Sequence, residues 1–304
     1  MMKSTRTDLV PSVSLALAAV LWGLYWIPVR GIEQSGVSAF WTGAVIFGAS
    51  SFLFIPFFIL RYRSFVSNWR SILLPGILSG LAFALYIASF NLTDVVRAIL
   101  LFYMSPLWST LLGVLILKER LTLNRIVALL LAFSGLYFVL AVDGSLPVPS
   151  NTGDWFALLS GLCWSIASVK LFQGGAKLIP EKVTVFVFFA LLASLVLILW
   201  NEGGLGGMPD RQSLVNAWYW IAIVALLMLP ITYFTIWPAT VLSPGRAGML
   251  LMGDVIVGVA SAAMLTGERF GTREMIGTLL IVGAAIVEVS RQQSIGKSAN
   301  IEQV

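Results

Sequence analysis

Two stretches of the sequence decide the fold: residues 97–131 read RAILLFYMSPLWSTLLGVLILKERLTLNRIVALLL, and residues 246–280 read RAGMLLMGDVIVGVASAAMLTGERFGTREMIGTLL. A shift of 149 residues superposes Arg97-Ala98 on Arg246-Ala247, Glu119-Arg120 on Glu268-Arg269, and Leu130-Leu131 on Leu279-Leu280. A shift of 142 residues places Trp22 on Trp164, and an insertion around residues 202–209 accounts for the difference. Repetition at a fixed spacing predicts that the chain consists of two copies of one structural unit.

The chain is too apolar to be a water-soluble protein. Of its 304 residues, 59% are hydrophobic and 11% are charged, and the mean hydropathy is +0.93. Soluble domains contain about 25% charged residues. Apolar stretches approaching the roughly 20 residues of a bilayer crossing occur near residues 12–30, 37–60, 72–91, 95–117, 124–142, 152–173, 183–200, 215–238, 246–266 and 272–290. The sequence therefore predicts an all-α integral membrane protein with ten transmembrane helices.

The two copies are predicted to have opposite orientations in the membrane. Residues 1–145 and 146–304 each contain five of the stretches, and an odd number forces the second copy to enter from the other face. Inverted repeats are typical of carriers, because two such halves can close a central site from either side. With both termini in the cytoplasm, 14 of the 19 basic residues fall on the inner side, which agrees with the positive-inside rule.

The fourth predicted helix carries a family resemblance. It contains Tyr103-Met-Ser-Pro-Leu-Trp108, ends in Leu117-Lys-Glu-Arg-Leu121 and precedes a glycine-bearing fifth helix. Over nearly its whole length the chain resembles the EamA-type branch of the drug/metabolite transporter superfamily, and within it the YddG-type amino-acid exporters. The resemblance implies a secondary transporter that exports small metabolites across a bacterial cytoplasmic membrane. The second copy departs from the pattern, with Asp254 at the position of Ser105 and Val255 at that of Pro106.

One acidic residue and a set of aromatic residues inside the predicted spans are candidates for the substrate site. Asp254 lies near mid-membrane, where a charged side chain costs about 2.5–3.5 kcal/mol. It would bind a substrate ammonium or a transported proton; the alternative is a neutral Asp hydrogen-bonded to a neighbouring helix. Aromatic rings in a cavity would hold an ammonium by cation–π contact at about 0.5–2 kcal/mol each, or they only pack. The aromatic candidates are Trp22, Tyr25, Trp26, Tyr86, Tyr103, Trp108, Trp164 and Tyr233.

Two arginines are candidates for gating or for contact with an anion. Arg97 and Arg246 occupy equivalent positions at the starts of the fourth and ninth helices, where a cation opposes the helix dipole. Each would be compensated by a substrate carboxylate or a gate carboxylate in bidentate geometry, or would extend to lipid phosphate.

Two further patterns have structural interpretations. Gly76-x-x-x-Gly80 is typical of a close-packing helix surface, and tryptophans near predicted helix ends are typical of the membrane interface: Trp41, Trp69, Trp155, Trp200, Trp218 and Trp220.

Missing residues exclude several classes of function. The chain has no His, and its lone Cys163 lies in an apolar stretch. An aspartyl protease of the membrane needs two intramembrane Asp residues, and only Asp254 qualifies. No phosphate-binding loop is present, and we expect no metal or cofactor. The scattered basic residues argue against a nucleic-acid partner.

We therefore predict a non-enzymatic transporter whose partners are the lipid bilayer and a small-molecule substrate. The expected cargo is amino acids, with aromatic and other neutral ones preferred. Transport would run outward by alternating access through a central aromatic-lined cavity, either as facilitated diffusion or in exchange for protons. Small cationic drugs or other metabolites are the alternative cargo, and a passive channel is the alternative mechanism.

Overall fold

The computed structural model describes residues 9–117, 123–140, 149–201, 207–242, 244–251, 253–265, 271–273, 275–280, 282–284 and 286–287. Its helices are α1 (Leu9–Leu24), α2 (Trp26–Gln34), α3 (Ala39–Leu60), α4 (Tyr62–Leu92), α5 (Val95–Phe102), α6 (Ser105–Leu117), α7 (Leu123–Leu140), α8 (Thr152–Gly174), α9 (Ile179–Asn201), α10 (Arg211–Val241), α11 (Pro244–Leu251) and α12 (Gly253–Leu265). A further apolar helix covers Met275–Ala284. Each of the ten predicted stretches contains one helix or two consecutive helices, and these residues include no strand, which confirms the all-α membrane fold.

Six helical stretches are long and apolar enough to cross a membrane: Leu9–Gln34, Phe40–Leu60, Tyr62–Leu92, Thr152–Gly174, Ile179–Trp200 and Arg211–Val241. Many of their apolar side chains are exposed, such as Phe52 within α3 and Leu60 at its end. In a bilayer these side chains contact lipid tails, so their exposure carries no penalty. Trp69, Trp155, Trp200 and Trp218 are also mostly exposed, as expected for tryptophans at the membrane interface.

Among the described residues, two predicted spans are interrupted, and each interruption lies shortly before a proline. The first span divides at Tyr25, between α1 and α2, and the fourth divides at Tyr103 and Met104, between α5 and α6. Proline has no N–H to donate to the carbonyl four residues earlier, and its ring crowds that carbonyl. Pro28 and Pro106 each follow a break within three residues. Irregular backbone at this depth is tolerated only where protein covers it or where it lines a cavity.

The third span is the central packing element of the described structure. Helix α4 lies between α8 and α9 and has its most extensive contacts with them. A Cβ atom on Gly80 would lie 2.6 Å from the backbone nitrogen of Ala190 in α9, so the two backbones are as close as glycine permits. The close-packing surface predicted from Gly76-x-x-x-Gly80 is confirmed, and it serves contact within the chain.

Helices α8 and α10 begin at residues that are common at helix N-termini. The side chain of Asn151 accepts a hydrogen bond from the Asp154 N–H at 2.8 Å, and the side chain of Asp210 accepts one from the Ser213 N–H at 2.8 Å. Hydrogen bonds from the Ser213 side chain and backbone hold the pKa of the exposed Asp210 carboxyl below its usual range. The hydrogen bond to Asn151 also orients the first turn of α8, which contains Asp154.

Candidate substrate site

Five of the predicted aromatic residues meet in the interior of the protein. Trp22 stacks on Phe83 with ring centroids 4.5 Å apart and contacts Tyr25 edge-on at 5.0 Å. Phe83 contacts Trp164 at 5.4 Å, and a second chain of contacts links Tyr86, Phe102 and Tyr103 at 4.4 and 5.2 Å. We call this group the aromatic cluster: Trp22, Tyr25, Phe83, Tyr86, Phe102, Tyr103 and Trp164. Its members come from α1, α4, α5 and α8 and from the two helix breaks, and all are buried.

Asp254, the predicted acidic residue, lies beside this cluster. Its side chain is 3% exposed. The Tyr103 hydroxyl donates a hydrogen bond to the Leu251 carbonyl oxygen at 2.8 Å and lies near the Asp254 carboxyl. Tyr86 lies within electrostatic range of the same carboxyl. In the part of the chain that the structure describes, Oδ1 of Asp254 has no hydrogen-bond partner.

Close backbone contact between the first and ninth spans positions Asp254. A Cβ atom on Gly23 would lie 2.8 Å from the Asp254 carbonyl oxygen and 2.8 Å from the Val257 Cβ atom. Gly258, one turn further along α12, packs against Gly23 in return. Because neither glycine has a side chain, α12 approaches α1 closely enough to bring Asp254 next to the aromatic cluster.

Helix α8 fixes the break in the fourth span from the other side. A Cβ atom on Gly161 would lie 2.5 Å from the carbonyl oxygen of Phe102, the last residue of α5. The Ser165 hydroxyl donates to the carbonyl oxygen of Ser105, the first residue of α6, at 2.7 Å. These contacts cover backbone groups at the break and hold Tyr103 in place.

The structure does not bring the other predicted aromatics into the cluster. Trp26 is buried and its indole N–H donates to the Ser261 hydroxyl at 2.9 Å. Trp108 packs with the small apolar group around Met104 and Leu107. Tyr233 is 42% exposed and stacks on Trp237 at 6.2 Å, on an outer surface of α10. Tyr233 also lines an apolar cavity of about 380 Å³ between α3, α9 and α10.

Arg97 contacts a carboxylate of its own chain. Its Nε and Nη2 atoms donate to Oδ1 and Oδ2 of Asp154, each at 2.8 Å. Asp154 is fully buried, and it also accepts from the Thr93 hydroxyl at 2.9 Å and from the Ser150 N–H at 2.9 Å. The pair joins the first half of the chain to the second at one membrane face, which we call the Arg97 face. The side chain of Arg246 lies outside the described residues, as do Glu119-Arg120 and Glu268-Arg269, so the equivalence of the two arginines stays a prediction.

A second ion pair joins the halves at the opposite membrane face. Arg61 Nε donates to Glu181 Oε1 at 2.7 Å, and the Ser64 hydroxyl donates to the same oxygen at 2.7 Å. Glu181 is fully buried at the start of α9. Helix α4 has a kink at Asn68, and a rise of 1.5 Å per residue from there to Thr93 places the two ion pairs about 35 Å or more apart. This distance exceeds the roughly 30 Å of a bilayer's apolar core.

The aromatic cluster is closed in this structure. Its rings pack directly on one another, and Asp254 does not line the apolar cavity beside Tyr233. A more polar cavity of about 540 Å³ lies at the Arg97 face, between α2, α10 and the start of α5, and Asp254 does not line that one either. The described residues include no group of three or more His, Cys, Asp or Glu side chains arranged for a metal ion. The site therefore consists of rings, hydroxyls and one carboxyl.

Comparison with known proteins finds similar membrane transporters. Residues 11–141 match the EamA-like transporter family. An uncharacterized transporter from Archaeoglobus fulgidus is 28% identical over 274 residues, which cover 86% of this chain and 96% of that protein. The chain is therefore similar to the EamA-like transporters in its first half and to an uncharacterized transporter over most of its length. These similarities indicate a membrane transporter and not an enzyme.

Further similarities agree with this assignment. The uncharacterized transporter YojE from Bacillus subtilis is 28% identical over 144 residues, which cover 43% of this chain and 47% of that protein. A protein of known crystal structure superposes with a TM-score of 0.59 at 17% identity, covering 96% of this chain and 99% of the other. At this identity the superposition shows a shared fold and nothing about the substrate.

Sequence patterns missed several residues at the candidate site of this transporter. Phe83 and Phe102 lie in the centre of the aromatic cluster, but a phenylalanine in an apolar helix has no signal that separates it from ordinary packing. Asp154 and Glu181 are buried acids in the first turns of α8 and α9. An acid in a first helical turn is favoured by the helix dipole, so this position is the signal that could have revealed both.

Proposed function

We propose that this transporter exports small amphipathic metabolites, and above all aromatic and neutral amino acids, by alternating access. The substrate ammonium binds Asp254, and the aromatic cluster contacts the apolar part of the substrate. The observation that carries the proposal is the buried Asp254 carboxyl, one oxygen of which has no hydrogen-bond partner among the described residues. Buried polar atoms are nearly always hydrogen-bonded, and a charged group in the membrane usually serves transport.

The depth of Asp254 fits a site that can face either compartment. Asp254 lies ten residues from the start of α11, which corresponds to about 15 Å at 1.5 Å per residue. This is about half of the apolar core of a bilayer. In transporters built from inverted repeats, substrates bind near this depth at interrupted helices. Tyr103, whose hydroxyl lies near Asp254, is at such an interruption.

The predicted repeats, residues 1–145 and 146–304, are two copies of one unit with opposite orientations in the membrane, and both contribute residues to the central site. The shift of 149 residues that aligns the repeats also relates the end of α5, Phe102, to the end of α11, Leu251. The same shift places Asp254 on Ser105. We propose that both termini face the cytoplasm of a bacterial cell and that the Arg97 face is external, because this orientation puts most basic residues inside.

The experiment is flux from liposomes that contain the purified protein and are loaded with tritiated phenylalanine. Leucine, glutamate and lysine serve as further substrates. We expect saturable efflux and counterflow of phenylalanine and leucine, and weak flux of the two charged amino acids. Asp254→Asn should raise the apparent KM for phenylalanine about 10-fold or more, since a hydrogen bond to a charged group contributes about 1.5–3 kcal/mol. Tyr103→Phe should have a smaller effect in the same direction.

Asp210→Asn is the matched control. It makes the same chemical change at an exposed carboxyl, and Asn keeps the helix cap, so its flux should equal that of the unmodified protein. Equal flux from the Asp254→Asn protein would remove Asp254 from the mechanism. Proton exchange is tested with an imposed pH gradient: the gradient should drive flux in the unmodified protein and not in the Asp254→Asn protein.

Small organic cations are the alternative cargo, because a carboxyl among aromatic rings would also bind them. Phenethylamine has the ring and ammonium of phenylalanine but lacks the carboxylate. Preferred transport of phenethylamine and of tetraphenylphosphonium over phenylalanine would replace the amino-acid proposal with a cationic one. Flux that does not saturate and shows no counterflow would indicate a channel.

A further inference from the structure

The more polar cavity, of about 540 Å³, is a second concave site, separate from the aromatic cluster. Its lining residues are Trp26, Ile27, Arg30, Gly31, Gln34, Asp94, Trp220 and Leu265. We call it the Arg30 cavity. Sites for small molecules have volumes of about 300–1,000 Å³ and combine apolar walls with a few convergent polar groups, and the Arg30 cavity meets both criteria. It lies at the Arg97 face, because Arg30 Nη2 donates to the Thr93 carbonyl oxygen at 3.3 Å, next to the Arg97–Asp154 pair.

The cavity presents charges of both signs. The Arg30 side chain is 29% exposed, and its guanidinium lies 4.0 Å from Glu33, a separation at the upper limit of an ion pair. A guanidinium binds carboxylates in bidentate geometry. Asp94 occupies the position before α5, yet its side chain makes no capping hydrogen bond. Its carboxylate is exposed at the cavity wall and can accept hydrogen bonds from an ammonium group.

Two tryptophans supply the apolar wall, and both are held in place. The Trp26 indole is anchored through its N–H to Ser261. The Trp220 indole lies over the backbone of Gly31, and a Cβ atom at position 31 would lie 2.5 Å from its Cε2 and Nε1 atoms. The ring can occupy this position only because residue 31 is glycine. Trp220, which was expected at the membrane interface, forms part of the wall of the Arg30 cavity at the Arg97 face.

We propose that the Arg30 cavity is a second binding site for a zwitterionic α-amino acid, at the face where the substrate leaves or enters the protein. Arg30 binds the α-carboxylate, Asp94 binds the α-ammonium, and the rings of Trp26 and Trp220 contact the side chain. The choice of amino acids as the ligand class rests on the proposed function, whereas the residues are different from those of the central site. The proposal assigns no step of transport to the Asp254 carboxyl.

The test is equilibrium dialysis of tritiated phenylalanine against the full-length protein in lipid nanodiscs. We expect two sites in the unmodified protein and one in each of the variants Asp254→Asn and Arg30→Gln. In the Asp254→Asn protein, phenylalanine should be displaced by N-acetylphenylalanine only weakly, because acetylation removes the ammonium, and by phenethylamine only weakly, because it lacks the carboxylate. Adding Arg30→Gln to Asp254→Asn should weaken the remaining binding of phenylalanine at least 10-fold.

Gly31→Ala tests the site without changing a charge. Its methyl group displaces the Trp220 ring, so phenylalanine binding to the Asp254→Asn protein should fall about 10-fold. Trp220→Leu in the Gly31→Ala background removes the clash and should restore part of the binding. Gly48→Ala is the matched control, because a Cβ atom there would approach no described atom closer than 3.9 Å. Melting temperatures of all variants identify any loss that comes from misfolding, and Arg30→Lys should retain more binding than Arg30→Gln if misfolding is not the cause.

The outcomes separate this proposal from the proposed function. A single site that Asp254→Asn abolishes and Arg30→Gln leaves intact overturns the second site and keeps the central one. A single site that Arg30→Gln abolishes, without saturable flux, keeps the Arg30 cavity and overturns the central site. Phosphatidylethanolamine also has an anion and an ammonium. If binding weakens when this lipid replaces phosphatidylglycerol in the nanodiscs, the cavity holds a lipid headgroup and the amino-acid assignment is wrong.

Discussion

Asp154→Asn should destabilise the transporter strongly, although it replaces a carboxyl with a group of nearly the same shape. The Asn amide nitrogen in place of Oδ2 would face the Nη2 donor of Arg97 and the Ser150 N–H, so both hydrogen bonds would be lost. The Arg97 side chain, only 14% exposed, would keep its charge but lose the carboxylate of Asp154. Removing one partner of a buried pair costs about 3–5 kcal/mol. At about 2 °C per kcal/mol for a long chain, the melting temperature should fall by about 6–10 °C.

The assay is thermal unfolding in detergent, followed by the burial of Cys163 from a thiol-reactive dye. Asp210→Asn is the control and should melt within about 1 °C of the unmodified protein. Arg97→Gln combined with Asp154→Asn should be less destabilised than the sum of the single variants, by about 0.5–3 kcal/mol of coupling. If Asp154→Asn melts like the Asp210→Asn control, the ion pair does not stabilise the fold and the reasoning fails.

The remaining predictions concern helix contacts and membrane topology. Gly23→Ala should reduce phenylalanine flux at least 10-fold, because its methyl group pushes α12 and Asp254 away from α1, whereas Gly48→Ala should leave flux unchanged; normal flux from Gly23→Ala would show that the close contact is dispensable. Arg61→Gln should lower the melting temperature by several degrees, since it leaves buried Glu181 without its cation, and an unchanged melting curve would contradict this. Single cysteines at positions 118 and 268 in a Cys163→Ala background should react with an impermeant reagent from opposite membrane faces, and labelling from one face would refute the inverted repeat.

Hydropathy predicted the membrane spans well, because a helix that crosses a bilayer needs a long apolar run whatever its neighbours are. The breaks at Tyr25 and Tyr103 could not be located in this way, because Pro56, Pro75 and Pro230 lie inside continuous helices while Pro28 and Pro106 follow breaks. Contacts between helices were not accessible in this way. Arg97 and Asp154 are 57 residues apart and lie on different helices, and a sequence alone does not show that they meet.

The sequence does not show in which direction a side chain points, and this was the main limit on predicting the candidate site. A membrane helix that is apolar on all sides has no amphipathic pattern to show which face is buried. Helix α10 is such a helix: Thr235 on it accepts a hydrogen bond from the Trp22 indole, while Tyr233, two residues away, is exposed. Trp220 is a second example. A tryptophan near a helix end is typical of the membrane interface, and only its contact with Gly31 shows that it also forms part of the wall of the Arg30 cavity.

The position of α4 restricts how the transporter can change shape. One end of this helix is tied to α9 through Ser64 and Glu181, the other end is tied to α8 through Thr93 and Asp154, and Gly80 holds its middle against the α9 backbone. Helices α4, α8 and α9 are therefore joined at three points, although they come from both halves of the chain. For the proposed alternating access, we expect these three helices to move together and the spans that contain Tyr25 and Tyr103 to tilt against them.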